Sequence, residues 1–144
     1  MRTLGAIHVP GGRNDRLASP PVSDDLRHRL GRAGEDAAVA HLERLGLQVV
    51  ARNHRTRFGE LDAIAYDGET LVFCEVKTGR AGAATTPLDN LSATKRAQVR
   101  RMAAAWLAET ADRPRAAELR FDAICVTFDA RGRLASLDHL EGAF

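Results

Sequence analysis

Lysine is almost missing from this chain: nineteen arginines stand against two lysines, Lys77 and Lys95. Arginine and alanine are abundant together, so part of the imbalance is compositional bias. A compact ammonium nevertheless does work that a planar, permanently charged guanidinium does not, which marks both lysines as functional candidates. Cysteine is scarce too. Cys74 and Cys125 sit inside strand-like apolar runs without metal-ligand spacing, as expected of buried, reduced thiols in a cytoplasmic protein. No apolar run approaches the length that crosses a bilayer, and the opening MRTLGAIHVPGGR lacks the apolar core of a signal peptide. A membrane partner is therefore not expected. Aromatic residues make up 5% of the chain, with one Trp and one Tyr, too few for a base-stacking platform. A Gly-rich phosphate loop is absent, as is a Cys–His or Ser–His catalytic set. The net charge of +2 means that any basic surface must be local. The length, 144 residues, fits one domain with a real core.

What is present centres on Arg57 to Lys77, RFGELDAIAYDGETLVFCEVK. Two alternating apolar runs flank Asp67-Gly68, a dipeptide that favours a tight hairpin turn. Side chains alternate along a strand, so Glu60, Asp62 and Ile64 share a face, as do Leu71, Phe73, Glu75 and Lys77. A two-residue loop would pair Tyr66 with Glu69, set Glu60 opposite Glu75 and place Asp62 across from Phe73. Like charges facing each other across a ladder are destabilising, and burial raises the cost. A hard divalent cation reverses that sign, because Mg²⁺ or Mn²⁺ prefers carboxylate oxygens. Solvent-facing carboxylates neutralised by Lys77 are the plainer alternative. The apolar residues Ile64, Leu71 and Phe73 on the same face argue for a half-buried metal site.

An acid on one strand followed by Glu75-Val76-Lys77 at the end of the next resembles the PD-(D/E)XK nuclease superfamily. With Gly34-Glu35 on an opening helix, Arg52-Asn53, Gly59-Glu60-Leu61-Asp62, Phe73 through Thr78 and Arg120-Phe121-Asp122, the chain resembles the YraN family of small bacterial proteins assigned to that superfamily. The resemblance spans about residues 31 to 128. It implies an α/β fold, a single restriction-endonuclease-like domain with a central mixed β-sheet flanked by helices. It also implies an Mg²⁺- or Mn²⁺-dependent nuclease acting on DNA or RNA.

Residues 1 to 25 carry several Pro and Gly and little periodicity, and read as a flexible tail; residues 26 to 144 form the domain. From about Leu26 to Leu45 the pattern is helical, with Ala38, Leu42 and Leu45 in one sector and Val39 at its margin. Glu35 falls in that sector, either to meet a partner or to favour the helix dipole. The resemblance makes it the first acid of the site. A strand is expected from Leu47 to Arg52, then a basic turn holding Arg52, Asn53, His54, Arg55 and Arg57. These arginines could contact phosphates, while His54 reads as a surface residue. Thr78 to Pro87 reads as a small-residue loop able to order over a substrate; where the family places an Arg two residues after the motif Lys, Gly79 stands here and Arg80 follows, with its role left open. A second helix spans Ser92 to about Thr110 and buries Val99, Met102, Ala103 and Trp106. Lys95, Arg96 and Arg100 form either a phosphate-facing edge or a solvated face. Two strands follow, from Leu119 and from Arg133, completing the order helix, three strands, helix, two strands. Asp122 either orients the site or bonds a neighbouring Arg.

For the chemistry, Asp62 and Glu75 are the leading metal ligands, then Glu60 and Glu35, with the Val76 carbonyl as a further oxygen. Lys77 would orient the attacking water or stabilise developing charge. Structure-selective binding is expected rather than base-sequence reading. A single small domain offers one cutting centre, so a homodimer is an expected assembly. The alternative from another class is a non-catalytic nucleic-acid-binding or scaffold module that keeps the nuclease fold.

Overall fold

The computed structural model describes residues 2–8, 23–83 and 92–144. Eight elements follow in order: β1 (Arg2–His8), α1 (Asp24–Arg44), β2 (Gln48–Thr56), β3 (Gly59–Tyr66), β4 (Thr70–Arg80), α2 (Ala93–Glu109), β5 (Glu118–Phe128) and β6 (Leu134–Glu141). The strands form one six-stranded mixed sheet in the order β1-β6-β5-β4-β3-β2. Only β4 and β5 run parallel, the pair separated in sequence by α2, as a parallel connection requires. The architecture is α/β, of the restriction-endonuclease-like type, and the expected order from the first helix onward is present.

The helices lie on opposite faces of the sheet. On one face α1 packs Ala38 and Leu42 against Ala63, Ala65, Val72, Cys74, Ile124 and Val126. On the other, α2 packs Val99, Met102, Ala103 and Trp106 against Ile64, Leu71, Phe73, Ala123 and Cys125. All four expected α2 positions are buried. Trp106 meets the Phe73 ring edge-on at 5.8 Å, so it belongs to the core. The α1 stripe is Gly34, Ala38, His41 and Leu42. Leu45, expected within it, is the C-cap and 45% exposed, because the helix ends there: Gly46 takes φ +88° and its N–H bonds the Glu43 carbonyl, a left-handed stop that glycine adopts at little cost.

Three expectations need correction. Part of the supposed tail is a strand: Arg2–His8 pairs antiparallel with β6, a long-range partner that local periodicity cannot reveal. Residues 9–22 of that tail, and residues 84–91 in and after the expected small-residue loop, lie outside the described residues. Thr78 to Arg80 is not loop but the end of β4, carried on by its parallel pairing with Val126 to Phe128. Likewise Arg52 to Arg55 extend β2 rather than forming a turn, since they pair with Glu60 to Ala63 of β3.

The hairpin register also differs. Tyr66 pairs with Leu71, and Ile64 with Phe73, leaving four residues in the loop. Asp67 sets that loop: its Oδ1 accepts the Glu69 and Thr70 N–H groups at 2.9 and 2.7 Å, the usual role of Asp at a turn. A shift of two residues keeps every side chain on its face. It moves Asp62, however, from opposite Phe73 to the step opposite Glu75.

Candidate metal centre

The β3–β4 ladder stops at the pair Ala63–Cys74. One step further the Val76 N–H is taken by the Asp62 carboxylate, Oδ2 at 2.8 Å, instead of by a β3 carbonyl. The strands therefore part where Asp62, Glu75 and Lys77 emerge. α1 reaches this opening because Gly34 packs directly on Thr78 of β4; a Cβ at position 34 would collide with the Thr78 hydroxyl. That close approach delivers the next residue, Glu35, to the end of the sheet.

Glu35, Glu60 and Asp62 each place a carboxylate oxygen within 4.8 Å of the others. Asn53, at φ +49° in β2, holds two of them: its amide nitrogen, oriented by its neighbours, donates to Glu60 Oε1 at 3.1 Å and Glu35 Oε2 at 3.0 Å. In the sequence Asn53 stands within a motif that gives it no role of its own. The signal available was its residue type, since Asn tolerates positive φ better than other side chains.

Glu75 is buried and stands outside that trio. Both lysines of the chain converge on its Oε1, Lys77 Nζ at 3.2 Å and Lys95 Nζ at 2.8 Å. Lys95 lies in the first turn of α2, where a cation opposes the helix dipole, and Glu75 supplies the compensating charge. The scarcity of lysine thus resolves into one ammonium pair around one carboxylate.

The electrostatics are strained. Burial pushes the Asp62 carboxyl up to about 7, helped by the Glu75 charge and opposed by the Val76 N–H. Burial likewise raises Glu35, with Asn53 opposing and Glu60 adding to the rise. Hard oxygen donors in this arrangement fit Mg²⁺ or Mn²⁺. Glu35, Glu60 and Asp62 would hold such an ion by drawing closer together than they stand without it. A divalent cation would offset both the burial and the Glu75 charge that hold Asp62 up.

The expected cationic residues divide. Arg55 pairs with Glu60 at 3.4 Å while largely exposed, and Arg52 ties Asp36 of α1 at 2.6 Å. Arg57 lies over the Phe58 ring at 4.7 Å, and Arg96 is exposed. Arg80 ends β4 beside the site. Arg100 is set apart: it covers the Phe121 ring at 4.5 Å and donates to the Phe144 carbonyl at 2.8 Å, so its visible work is packing. His54 is half-buried rather than a surface residue, and its Nε2 has no partner among the described residues.

Asp122 does not join the acids. It pairs with Cys74 in the sheet, one residue away from Glu75 and on the α1 face. Its oxygens accept from Arg120 at 3.0 Å, His139 Nε2 at 2.7 Å and the Gly142 N–H at 3.1 Å. His139 Nδ1 in turn meets His41 Nε2 at 3.0 Å. All three of Asp122, His139 and His41 are buried. The expected bond to Arg exists, but the histidine chain behind it was not read from sequence. Its signal was two histidines within apolar stripes, His41 one turn after Ala38 and His139 between Leu137 and Leu140.

Residues 34–126 match the family described as Uncharacterised protein family UPF0102. The chain belongs to the UPF0102 family. A UPF0102 protein of Nitratidesulfovibrio vulgaris strain DP4 is 46% identical over 120 residues, covering 83% of this chain and 87% of the relative. A UPF0102 protein of Parafrankia sp. is 44% identical over 119 residues, covering 83% and 98%. One from Sorangium cellulosum is 42% identical over 128 residues, covering 88% of each. The matched span of UPF0102 runs from Gly34 to Val126, and therefore contains every acid of the cluster, both lysines and Asp122. No helix among the described residues is long and apolar enough to cross a membrane.

Proposed function

We propose that this UPF0102 protein is a metal-dependent nuclease that hydrolyses phosphodiester bonds in DNA or RNA. The observation that carries the reading is the convergence of Glu35, Glu60 and Asp62 within 4.8 Å at a strand opening that also holds Glu75 and Lys77. Such a cluster is unfavourable as plain structure and favourable around a divalent cation. Glu35, Glu60 and Asp62 would hold the ion, with Glu75 beside them once a lysine releases it. Bound Mg²⁺ or Mn²⁺ would supply polarisation of the phosphodiester and acidification of a water.

The protein groups have separable roles. Asp62 is fixed by the Val76 N–H, which bonds one of its two oxygens. Asn53 keeps Glu35 and Glu60 at a set spacing. Lys77, held by Glu75, donates to oxygen where negative charge develops. Lys95, drawn to the same carboxylate, keeps that charge balance when Lys77 turns toward a phosphate. Arg55 and Arg80 flank the opening and would contact phosphates without reading base sequence.

A second reading has one observation in its favour. Glu75 Oε1 is already claimed by two ammonium groups, an arrangement that a non-catalytic nucleic-acid-binding or scaffold module could keep as structure. Incubating the protein with branched, single-stranded and RNA substrates in Mg²⁺ or Mn²⁺ separates the two. A nuclease cleaves at least one substrate class and loses cleavage in Glu75→Ala and Lys77→Ala. A binding module retains affinity in both variants and cuts nothing.

A further inference from the structure

Beside Glu35 a cavity of about 460 Å³ opens between α1 and the end of β4. Arg27, Leu30 and Gly31 line it from the helix, and Val76 and Arg80 from the strand, with Glu35 shared between the cavity and the acidic cluster. The wall is thus apolar at Leu30, Gly31 and Val76, cationic at Arg27 and Arg80, and bounded on one side by Glu35.

These features describe one kind of occupant. The volume falls within the range of small-ligand sites, about 300–1,000 Å³, which admits a base, a sugar and a phosphate but not a base pair in a duplex. An apolar wall suits the face of a base. Guanidinium groups suit both stacking on a base and pairing with a phosphate. Gly31 contributes in a specific way: it sits in regular helix, and a Cβ built there meets nothing within 4 Å. The helix is bare where it lines the cavity, leaving room that any other residue would narrow.

We infer that this cavity receives one unpaired nucleotide next to the phosphodiester being cut, so that the substrate class is a single-stranded end or flap rather than continuous duplex. The inference rests on the nuclease reading above and deepens it. An unpaired nucleotide enters without the unstacking cost that a paired one carries, which makes the cavity a selector for strand state rather than for base sequence.

Gly31→Phe tests this directly, since the ring extends into the cavity and leaves every acid of the cluster unchanged. Fluorescence anisotropy would compare a labelled duplex carrying a single-stranded overhang with its blunt counterpart, in Ca²⁺. Calorimetry would follow Mn²⁺ binding in parallel, and a thermal melt would report folding. Wild type is expected to prefer the overhang by about tenfold, equivalent to about 1.4 kcal/mol. Gly31→Phe should erase the preference with Mn²⁺ binding unchanged, and Arg80→Ala should reduce it. If Gly31→Phe does not fold, Gly31→Ala and Arg80→Ala carry the same comparison. Equal wild-type affinity for both duplexes overturns the inference even where Mn²⁺ binds, as does a preference that survives the substitutions. Binding of AMP that depends on Gly31, without an overhang preference, also overturns it and leaves a site for free mononucleotides. A Gly31-dependent overhang preference in a protein that neither binds Mn²⁺ nor cleaves upholds the cavity and rejects the nuclease reading instead.

Discussion

Two aspartates on neighbouring parts of one sheet have opposite fates. Asp122 is completely buried, and burial alone would push its carboxyl up. Hydrogen bonds from His139, Arg120 and the Gly142 N–H outweigh that, and hold it below the ordinary carboxylate value. Asp62 is raised to about 7 because burial pushes it up, the Glu75 charge adds to the rise, and a single backbone N–H, from Val76, opposes them. The fold gives Asp122 two side chains able to carry positive charge and an N–H, and gives Asp62 one N–H beside two acids. A buried acid matched by cations is a structural element, whereas a cluster of acids short of cationic partners at a strand opening is the arrangement on which the proposed cation site rests.

That contrast can be broken most sharply in catalysis. Asp62→Ala and Glu75→Ala should each lower cleavage by at least about 10²-fold, the scale of losing one charge-stabilising group. Asp122→Asn, if folded, should cleave at close to the wild-type rate per folded molecule. A single-turnover assay on folded fractions checks both, and equal losses at the two aspartates would erase the distinction.

In stability the order inverts. Asp122→Asn leaves buried His139 without its charged partner and Arg120 with Glu141 alone, at 3.1 Å, and should cost about 3 kcal/mol in urea unfolding. Asp62→Asn should instead stabilise the metal-free protein near pH 8, by about 1–3 kcal/mol after allowance for solvent screening and for coupling to Glu75. The sign follows from the raised value. The folded state binds the Asp62 proton more tightly than the unfolded chain does, so wild-type stability is highest below pH 3.8 on this account and declines as pH rises to about 7. Asparagine should flatten that decline, and urea midpoints across pH 4 to 8 would read it.

Of similar size is the packing that brings Glu35 in. Gly34→Ala should cost about 1–3 kcal/mol from overpacking against Thr78, and should displace Glu35 enough to weaken metal binding. The double variant with Thr78→Ala should recover part of both. Thermal melts and Mn²⁺ titration of the single and double variants test this, and purely additive effects would deny the contact its role.

Much of this was legible in the sequence because it is local. Alternation placed Glu60, Asp62 and Glu75 near one strand opening, and helical spacing found the α2 core. The lopsided lysine count pointed to the two residues that meet on Glu75. What escaped lies in turn chemistry and in pairing across distance. The hairpin register is set by Asp67 capping a four-residue loop, which no apolar pattern encodes. The strand Arg2–His8 exists through β6, 130 or so residues further on in register. Asp122 carries a motif position, yet its partner His139 comes from another strand, and only the fold shows that the bond turns this acid away from the site.

The central claim is that Glu35, Glu60 and Asp62 hold a divalent cation. Calorimetric Mn²⁺ titration of wild type against Asp62→Ala/Glu75→Ala and against Glu35→Gln tests it most directly. Saturable binding by wild type, abolished in the double variant and weakened by at least about tenfold in Glu35→Gln, is the predicted result. An absence of binding by wild type at millimolar Mn²⁺, or equal binding by all three proteins, would contradict it.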